Sequence, residues 1–368
     1  MASRQETMSE QQNENNLERR NTKTYLHDWE SSSLQKIDGE YHLIADGILT
    51  RKDYNLLFEN PEKKMHLPVE STECLNLHSN IAFSSSFFSF AAKNNLKINM
   101  FSKYGEYEGA FVPAGLPASS SLVMKQALAY NDTSERLMFA RQFALAAAHN
   151  IRENLKYYTR YDSGGRLSNA IEEIAAIMHM EKTIVSVSEL MLLEGRIRGI
   201  YYMCLNDIFM NDDFLFVKRT KRPPEDPLNA LISFGNVVLY RRIAKELYKS
   251  RLDIRFGFLH ATNRRHESLN LDIAEIFRPV IVDRIIFTLI NKHMISAKMN
   301  FEKLEGNAVY LNSEGKRIFI TEFDKKMAQR LKYKSGIVSY EGLIRAEIQK
   351  LTRYFDTGEP YKPYKYFL

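Results

Sequence analysis

The hydrophobic pattern of this chain changes its period once, and that change constrains the fold more than any other feature. From about Tyr41 to Pro113, apolar residues occur in short runs separated by turn residues, which is typical of β-strands. After the Pro-, Gly- and Ser-rich segment Pro113–Ser121 the period becomes 3.6, which indicates helices. We therefore predict an α+β multidomain protein in which a small β-rich N-terminal domain is followed by a larger all-α domain.

Composition places the domain boundaries. The first 24 residues are polar and carry almost no hydrophobic residue to offset chain entropy, so we expect the N-terminal tail to be disordered. The predicted units are a polar tail over 1–35, a β-rich domain over 36–115, a linker over 116–125, an all-α domain over 126–355 and an aromatic-basic tail over 356–368.

Individual elements follow from the same periods. We predict strands near 42–45, 55–58, 65–69, 75–78, 97–101 and 109–112, with one helix over 85–95. Ser186, with Glu189 three residues later, has the spacing of a capping box at the start of a helix. The predicted helices of the second domain cover 134–158, 167–180, 187–209, 228–248, 269–293 with a bend or interruption at Pro279, 324–333 and 340–355.

Charge and cysteine content exclude several classes of protein. The net charge of +6 over 368 residues permits a polyanionic partner without requiring one. Two cysteines, Cys74 and Cys204, are too few for a thiolate metal cluster or a disulfide framework. The N-terminus lacks a secretory signal, and the most apolar stretch, Pro279–Ile290, is broken by Asp283-Arg284. We expect a cytoplasmic protein with no membrane span.

Three short stretches of the second half carry candidate metal ligands. Glu194 lies on a predicted helix, and His260 ends an extended run. Asp272 and Glu275 lie one helical turn apart on a further helix, so they share a face. Carboxylates with a single imidazole suit a hard or borderline divalent cation, Mg²⁺ or Mn²⁺.

Each candidate ligand also has a structural alternative. Glu194 could form an ion pair with Arg198 four residues later, and Glu275 could pair with Arg278. His260 could be a hydrogen-bonded structural histidine. Because the carboxylates have apolar neighbours, each needs a cation nearby, which could be an arginine or a metal ion.

Basic residues occur between and around these stretches. A charge run is often only a solvated surface, but beside a divalent-cation site the alternative is contact with a phosphate backbone. The candidates for such contact are Arg198, Arg219, Arg222, Arg241, Arg242 and Arg264.

At these residues the sequence resembles the integrase family of the CRISPR adaptation module, the first-numbered CRISPR-associated protein. The resemblance covers about Ile37 to Tyr364. One departure is Lys125-Gln126, where the family often has an arginine followed by a glutamine three residues on, so no role is transferred there. The matching pieces are 103–109 at the end of the β domain, the glutamate motif 193–202, the signature core 222–240, the histidine motif 257–260 and the acidic motif 271–279.

The resemblance implies a dimer with a β-rich N-terminal domain and a helical catalytic domain, assembled with a small ferredoxin-like partner protein. It implies that Glu194, His260 and Glu275 hold Mn²⁺ or Mg²⁺, with Asp272 beside them. The implied reaction is transesterification of double-stranded DNA: the 3′-hydroxyl of a short incoming fragment attacks a phosphodiester at the edge of a CRISPR repeat.

Two other functions remain compatible with parts of the sequence. A non-catalytic nucleic-acid-binding scaffold would use the Glu–Arg pairs as structural contacts. A zinc hydrolase is less well supported, because one histidine with carboxylates is an unusual zinc set and no His-x-x-x-His spacing occurs. Separately, many short strands leave open sheet edges, so we expect the β-rich half to self-associate.

Overall fold

The computed structural model describes residues 34–37, 40–102, 104–114, 119–162, 164–260, 267–334 and 336–367. The predicted disordered tail, 1–35, lies outside these ranges except for its last two residues, which begin a strand. The described part of the N-terminal domain contains short strands and one helix. They are β1 (Leu34–Ile37), β2 (Glu40–Leu43), β3 (Gly47–Lys52), β4 (Asn55–Glu59), β5 (Lys64–Leu67), β6 (Cys74–Leu77), β7 (Ile81–Ala82), α1 (Ser85–Lys93), β8 (Lys97–Phe101) and β9 (Tyr107–Phe111).

These strands form two sheets. The first has the order β1-β2-β6-β8-β9, with β2, β6 and β8 parallel and both outer pairs antiparallel. The second has the order β5-β4-β3-β7, in which β3, β4 and β5 form an antiparallel meander. All six predicted strands and the predicted helix are confirmed, whereas β1, β3 and β7 were not predicted. The core of this domain includes Leu49, Phe58, Leu75, Phe87 and Ile98.

The second domain is mostly helical but not all-α. The prediction is wrong in this detail because two hairpins interrupt the helices, and strands of three or four residues show too little alternation to reveal a period. The helices are α2 (Ser120–Asn131), α3 (Thr133–Tyr158), α4 (Arg166–His179), α5 (Val187–Met203), α6 (Leu205–Ile208), α7 (Pro227–Tyr248), α8 (Leu269–Phe277), α9 (Arg284–Asn291), α10 (Ser313–Ala328) and α11 (Tyr340–Thr357). The hairpins are β10 (Phe301–Lys303) with β11 (Val309–Leu311), and β12 (Arg330–Tyr333) with β13 (Gly336–Ser339).

Two predicted boundaries differ from the structure. The predicted linker, 116–125, overlaps α2, because Ser119 Oγ accepts a hydrogen bond from the backbone N–H of Leu122 (3.4 Å) and so caps a helix. The predicted helix over 324–333 is also divided. Its first half belongs to α10, and after Gln329, which has an extended ψ of 124°, the chain continues as β12.

The predicted interruption of the helix at Pro279 is confirmed. Proline has no backbone N–H and cannot continue the regular helical bonding pattern. After α8 the chain forms a π-helical turn over Pro279–Asp283, hereafter the π turn, and then enters α9. The helix α8 packs against α3 and α7, which places this region in the middle of the domain. Within the described ranges, no helix combines the length and apolar character needed to cross a membrane.

The aromatic-basic C-terminal segment, predicted as a tail, packs into the helical core. We refer to residues 358–367 as the C-terminal strap. Tyr361 and Tyr364 are only 2% and 4% exposed. The Tyr361 hydroxyl donates to buried Glu347, whose Oε2 also accepts from the backbone N–H of Tyr364 (3.1 Å). Tyr364 stacks on Phe277, the last residue of α8, with ring centroids 5.6 Å apart.

Candidate active site

Glu194 lies on α5, next to the buried face of that helix. The predicted N-cap is confirmed, since Ser186 Oγ accepts from the backbone N–H of Glu189 (3.2 Å). The side chain of Glu194 is 17% exposed, so it is partly removed from water. The buried face beside it consists of Leu190, Leu193, Ile197 and Tyr201.

The other two carboxylates belong to α8, every residue of which is buried. Asp272 is 0% exposed and Glu275 is 4% exposed. Charged groups at this depth require hydrogen bonds or opposite charges to offset the loss of hydration. The two side chains obtain them from different sources.

Asp272 binds the loop that carries His260. Its Oδ2 accepts from the backbone N–H groups of Phe258 (2.5 Å) and Leu259 (3.0 Å), and its Oδ1 accepts from the backbone N–H of His260 (2.9 Å). The same Oδ1 lies 3.0 Å from Nδ1 of the imidazole. Because an ionised carboxylate can only accept, Nδ1 carries the proton in this contact. Nε2, the opposite ring nitrogen, lies 4.0 Å from Glu275 Oε1.

Arg198 joins the carboxylates of the two helices. Its Nε donates to Glu194 and its Nη2 donates to Glu275. Arg278 approaches the same oxygen of Glu275, with its Nη2 3.2 Å from Oε2. The structure therefore shows both Glu–Arg pairs that the sequence suggested, and it shows that one arginine serves two carboxylates.

The donor set fits Mg²⁺ or Mn²⁺ in chemical type. Two carboxylates and an imidazole converge from α5, α8 and the loop before α8, and the Asp272 contact leaves Nε2 available as a ligand. In the part of the chain that the structure describes, no three His, Cys, Asp or Glu side chains are arranged as a formed metal site. The reason is local, since the Arg198 guanidinium lies between Glu194 and Glu275.

Three buried residues beside the site were not proposed as site residues from the sequence: Asn154, Tyr201 and Asp283. Asn154 Nδ2 donates to the Tyr201 hydroxyl (3.4 Å), and Asn154 Oδ1 accepts from Arg284 Nε (2.8 Å). Burial raises the pKa of Asp283, in the π turn, to about 7, against the opposing effects of a Tyr201 hydrogen bond and the Arg198 charge. The only sequence signal was the Asp283-Arg284 interruption of the most apolar stretch.

The loop before α7 has one partly buried and one exposed arginine. Arg219 donates to Asn229 Oδ1 (2.7 Å) and to Ser233 Oγ (3.0 Å), so it connects the loop to the first turns of α7. Arg222 is exposed. Burial raises the pKa of Tyr202 on α5, and the charges of Arg198 and Arg219 oppose that shift, which places this loop close to the candidate site.

The prediction that Arg241 and Arg242 contact phosphate is wrong for this structure. They are 5% and 4% exposed, because α7 is buried along both sides. Arg241 donates to Glu267 and lies over the Tyr107 ring. Arg242 forms ion pairs with Asp324, Glu40 and Glu341. Arg264 lies outside the described residues.

Comparisons with known proteins identify the family of this chain. The sequence model of the family described as CRISPR associated protein Cas1 matches residues 41–325. A CRISPR-associated endonuclease Cas1 of Thermodesulfovibrio yellowstonii is 38% identical over 325 residues, which cover 88% of this chain and 97% of the relative. The structure of a Cas1 protein from Thermotoga maritima superposes with a TM-score of 0.79 at 30% identity, covering 89% of this chain and all of that one. A casposase bound to its integration product shares the fold alone, with a TM-score of 0.76 at 17% identity and coverage of 86% and 91%. The chain belongs to the Cas1 family.

Proposed function

We propose that this protein is an integrase and endonuclease of CRISPR adaptation that depends on Mg²⁺ or Mn²⁺ and inserts short DNA fragments into a CRISPR array. The observation that carries the proposal is that Arg198 joins Glu194 on α5 to Glu275 on α8, while His260 Nε2 lies 4.0 Å from Glu275 Oε1. Family membership supports it, because relatives in this family are named CRISPR-associated endonucleases.

The residues supply what a phosphoryl transfer between DNA strands requires. When bound, Mg²⁺ or Mn²⁺ polarises a phosphoryl oxygen, activates the attacking hydroxyl and stabilises charge on the leaving oxygen. Asp272 holds the His260 imidazole in the tautomer with Nε2 free to act as a ligand. The incoming 3′-oxygen forms a new bond to phosphorus, and the 3′-oxygen of the cut repeat strand leaves and takes up a proton. No side-chain nucleophile is needed.

We further propose double-stranded DNA as the substrate, bound partly through the loop 218–222. This loop lies beside α5, and the side chains of Lys218, Lys221 and Arg222 are exposed. Lysine and arginine contacts to phosphates give binding that weakens with salt and does not depend on base sequence. The open edges of the two β-sheets support a homodimer, and the family resemblance supports a small ferredoxin-like partner protein.

A strand-transfer and branched-DNA cleavage assay tests the proposal. Wild-type protein should act only with Mg²⁺ or Mn²⁺, and Glu194→Gln and His260→Ala should each lower the rate by about a hundredfold or more, because each removes a proposed ligand. A matched control is Glu173→Gln on α4, whose carboxylate is half exposed and pairs with exposed Arg196. Full activity of both site variants, or of wild-type protein in chelator, would refute the assignment.

A non-catalytic nucleic-acid-binding scaffold is the second candidate, and the two observed Glu–Arg pairs favour it. A purely structural site needs no further cation. Calorimetric titration distinguishes the two candidates: the enzyme should bind Mn²⁺, whereas a scaffold should release no heat on titration and should bind DNA equally well in chelator.

A further inference from the structure

Arg198 lies where the proposed function requires a metal ion. Its Nε and Nη2 donate to Glu194 on α5 and to Glu275 on α8, so one side chain joins two elements of the site. The side chains of Arg198, Glu194 and Glu275 are 16%, 17% and 5% exposed. Water therefore screens this contact less than it screens an exposed ion pair.

Two carboxylates in such a place repel each other unless a cation lies between them. The guanidinium supplies one positive charge and a planar set of donors that reaches both oxygens. A divalent ion would supply two charges and would bind carboxylate oxygens at about 2.1 Å. Arg198 contacts Oε1 of Glu194 and Oε2 of Glu275, so an ion bound by both carboxylates would lie close to the guanidinium, and the two cations would repel. The guanidinium and the metal ion therefore compete for these carboxylates.

We propose that Arg198 is a placeholder cation: it bridges Glu194 and Glu275 in the metal-free protein and must leave before a divalent ion can bind both carboxylates. The inference rests on the proposed function, because it takes Glu194 and Glu275 as ligands. Beyond that function, Arg198 has a role that opposes metal binding. Arg198 thus holds α5 and α8 together until the metal takes over that contact.

The direction in which Mn²⁺ affinity changes when Arg198 is replaced tests the inference. Mn²⁺ affinity is measured by calorimetry, and by electron paramagnetic resonance of free Mn²⁺, on protein first stripped with chelator. Arg198→Gln should bind Mn²⁺ about tenfold more tightly or better than wild type, because a competing charge-assisted contact is gone. Arg196→Gln is the matched control: it removes the same charge from an exposed position that pairs with Glu173, and its affinity should change by less than about twofold.

Thermal unfolding gives a second readout that does not involve activity. In chelator, Arg198→Gln should unfold at a lower temperature than wild type, because two neighbouring carboxylates lose their shared partner. Mn²⁺ should then raise its unfolding temperature by more than it raises that of wild type. Arg198→Lys keeps the charge but lacks the fork that reaches both carboxylates, so its Mn²⁺ affinity should lie between the other two.

The outcomes separate this inference from the function on which it rests. If Glu194→Gln loses Mn²⁺ binding while Arg198→Gln binds no more tightly than wild type, the metal site stands and the placeholder role is overturned. If wild type and every Arg198 variant fail to bind Mn²⁺, both proposals fall and Arg198 is a structural ion pair. Should Arg198→Gln not fold, Arg198→Lys decides, and an affinity equal to or below that of wild type overturns the inference.

Discussion

Asp272 acts on the candidate site through His260, which lies next to it in space. It is fully buried, and it accepts three backbone hydrogen bonds and one imidazole hydrogen bond from the loop 258–260. Both oxygens are therefore already used by donors of the protein itself. We infer that Asp272 positions His260 and does not itself bind the metal, which agrees with its place beside the three expected ligands.

Replacing Asp272 tests this positioning role. Asp272→Asn keeps the shape but turns one acceptor into an NH₂ donor that faces N–H groups, so we expect a loss of about 3 kcal/mol in the free energy of unfolding. We also expect Mn²⁺ affinity to fall by about 10–100-fold, as for other residues that orient a metal ligand. Urea unfolding and calorimetry measure the two effects.

The matched control is Asp132→Asn. Asp132 also accepts a backbone hydrogen bond, from Glu135 at the start of α3, but it is exposed, and asparagine caps helices about equally well. Its stability and Mn²⁺ affinity should stay close to wild type. If Asp272→Asn behaves like this control, the loop does not depend on the buried carboxylate.

At the scale of single residues, the sequence revealed which residue types could act in the site but not which partners they contact. The family resemblance placed Glu194, His260 and Glu275 at one metal site, whereas the residues alone also allowed Glu–Arg ion pairs. In the structure Arg198 links the two glutamates, and His260 Nε2 lies 4.0 Å from Glu275 Oε1. Arg242 was assigned to phosphate contact because basic residues occur around the candidate cation site in the sequence. Its carboxylate partners, Asp324 and Glu40, come from distant segments that no local pattern connects to it.

At the scale of elements, Gly257 permits the loop before His260 to approach the start of α8. Its backbone N–H donates to Ser268 Oγ (2.9 Å). A Cβ at this position would lie 2.7 Å from the Ser268 carbonyl carbon and 2.8 Å from its oxygen. These are backbone atoms, so the contact cannot be relieved by rotating a side chain.

The same glycine-to-alanine change should have opposite effects at two positions. Gly257→Ala should lower the free energy of unfolding by about 1–3 kcal/mol, because the loop or α8 must shift. Gly199→Ala, on the exposed side of α5 with nothing within 4 Å of the added Cβ, should raise it by roughly 0.5–1 kcal/mol. Thermal unfolding monitored by circular dichroism compares them, and equal shifts would contradict the role given to Gly257.

Long periodic helices were predicted closely, whereas the start of α2 and the two hairpins of the helical domain were not. The helices α3, α4, α7 and α11 lie within a few residues of their predicted positions because each buries a broad apolar face. The start of α2 was read as linker because a serine-rich stretch suits both a cap and a loop. The hairpins β10–β11 and β12–β13 were missed because their strands contain only three or four residues.

At the scale of the whole molecule, buried charges join the two domains. Glu40 on β2 lies 2.8 Å from Lys245 Nζ and 3.4 Å from Arg242 Nη2, both on α7. Asn76 Nδ2 also donates to Glu40 (3.2 Å). Burial raises the pKa of Glu40, but the charges of Arg242 and Lys245 outweigh that effect and hold the pKa well below its ordinary value. The ionised form is thus the one that the folded protein stabilises.

A carboxyl whose pKa is lower in the folded state contributes stability above its unfolded pKa of about 4.3, and that contribution is lost as the pH falls. Glu40→Gln should lower the free energy of unfolding by about 3–5 kcal/mol at pH 7, because two buried cations lose their partner. At pH 3.5 the difference in free energy of unfolding between the variant and wild type should be smaller by about 1 kcal/mol, because wild type takes up a proton at Glu40 when it unfolds at this pH. Urea titrations at both pH values measure this difference, with Glu108→Gln, at an exposed position of β9, as the control. If the difference in free energy of unfolding between Glu40→Gln and wild type is the same at both pH values, protonation of Glu40 does not affect the contact between the domains.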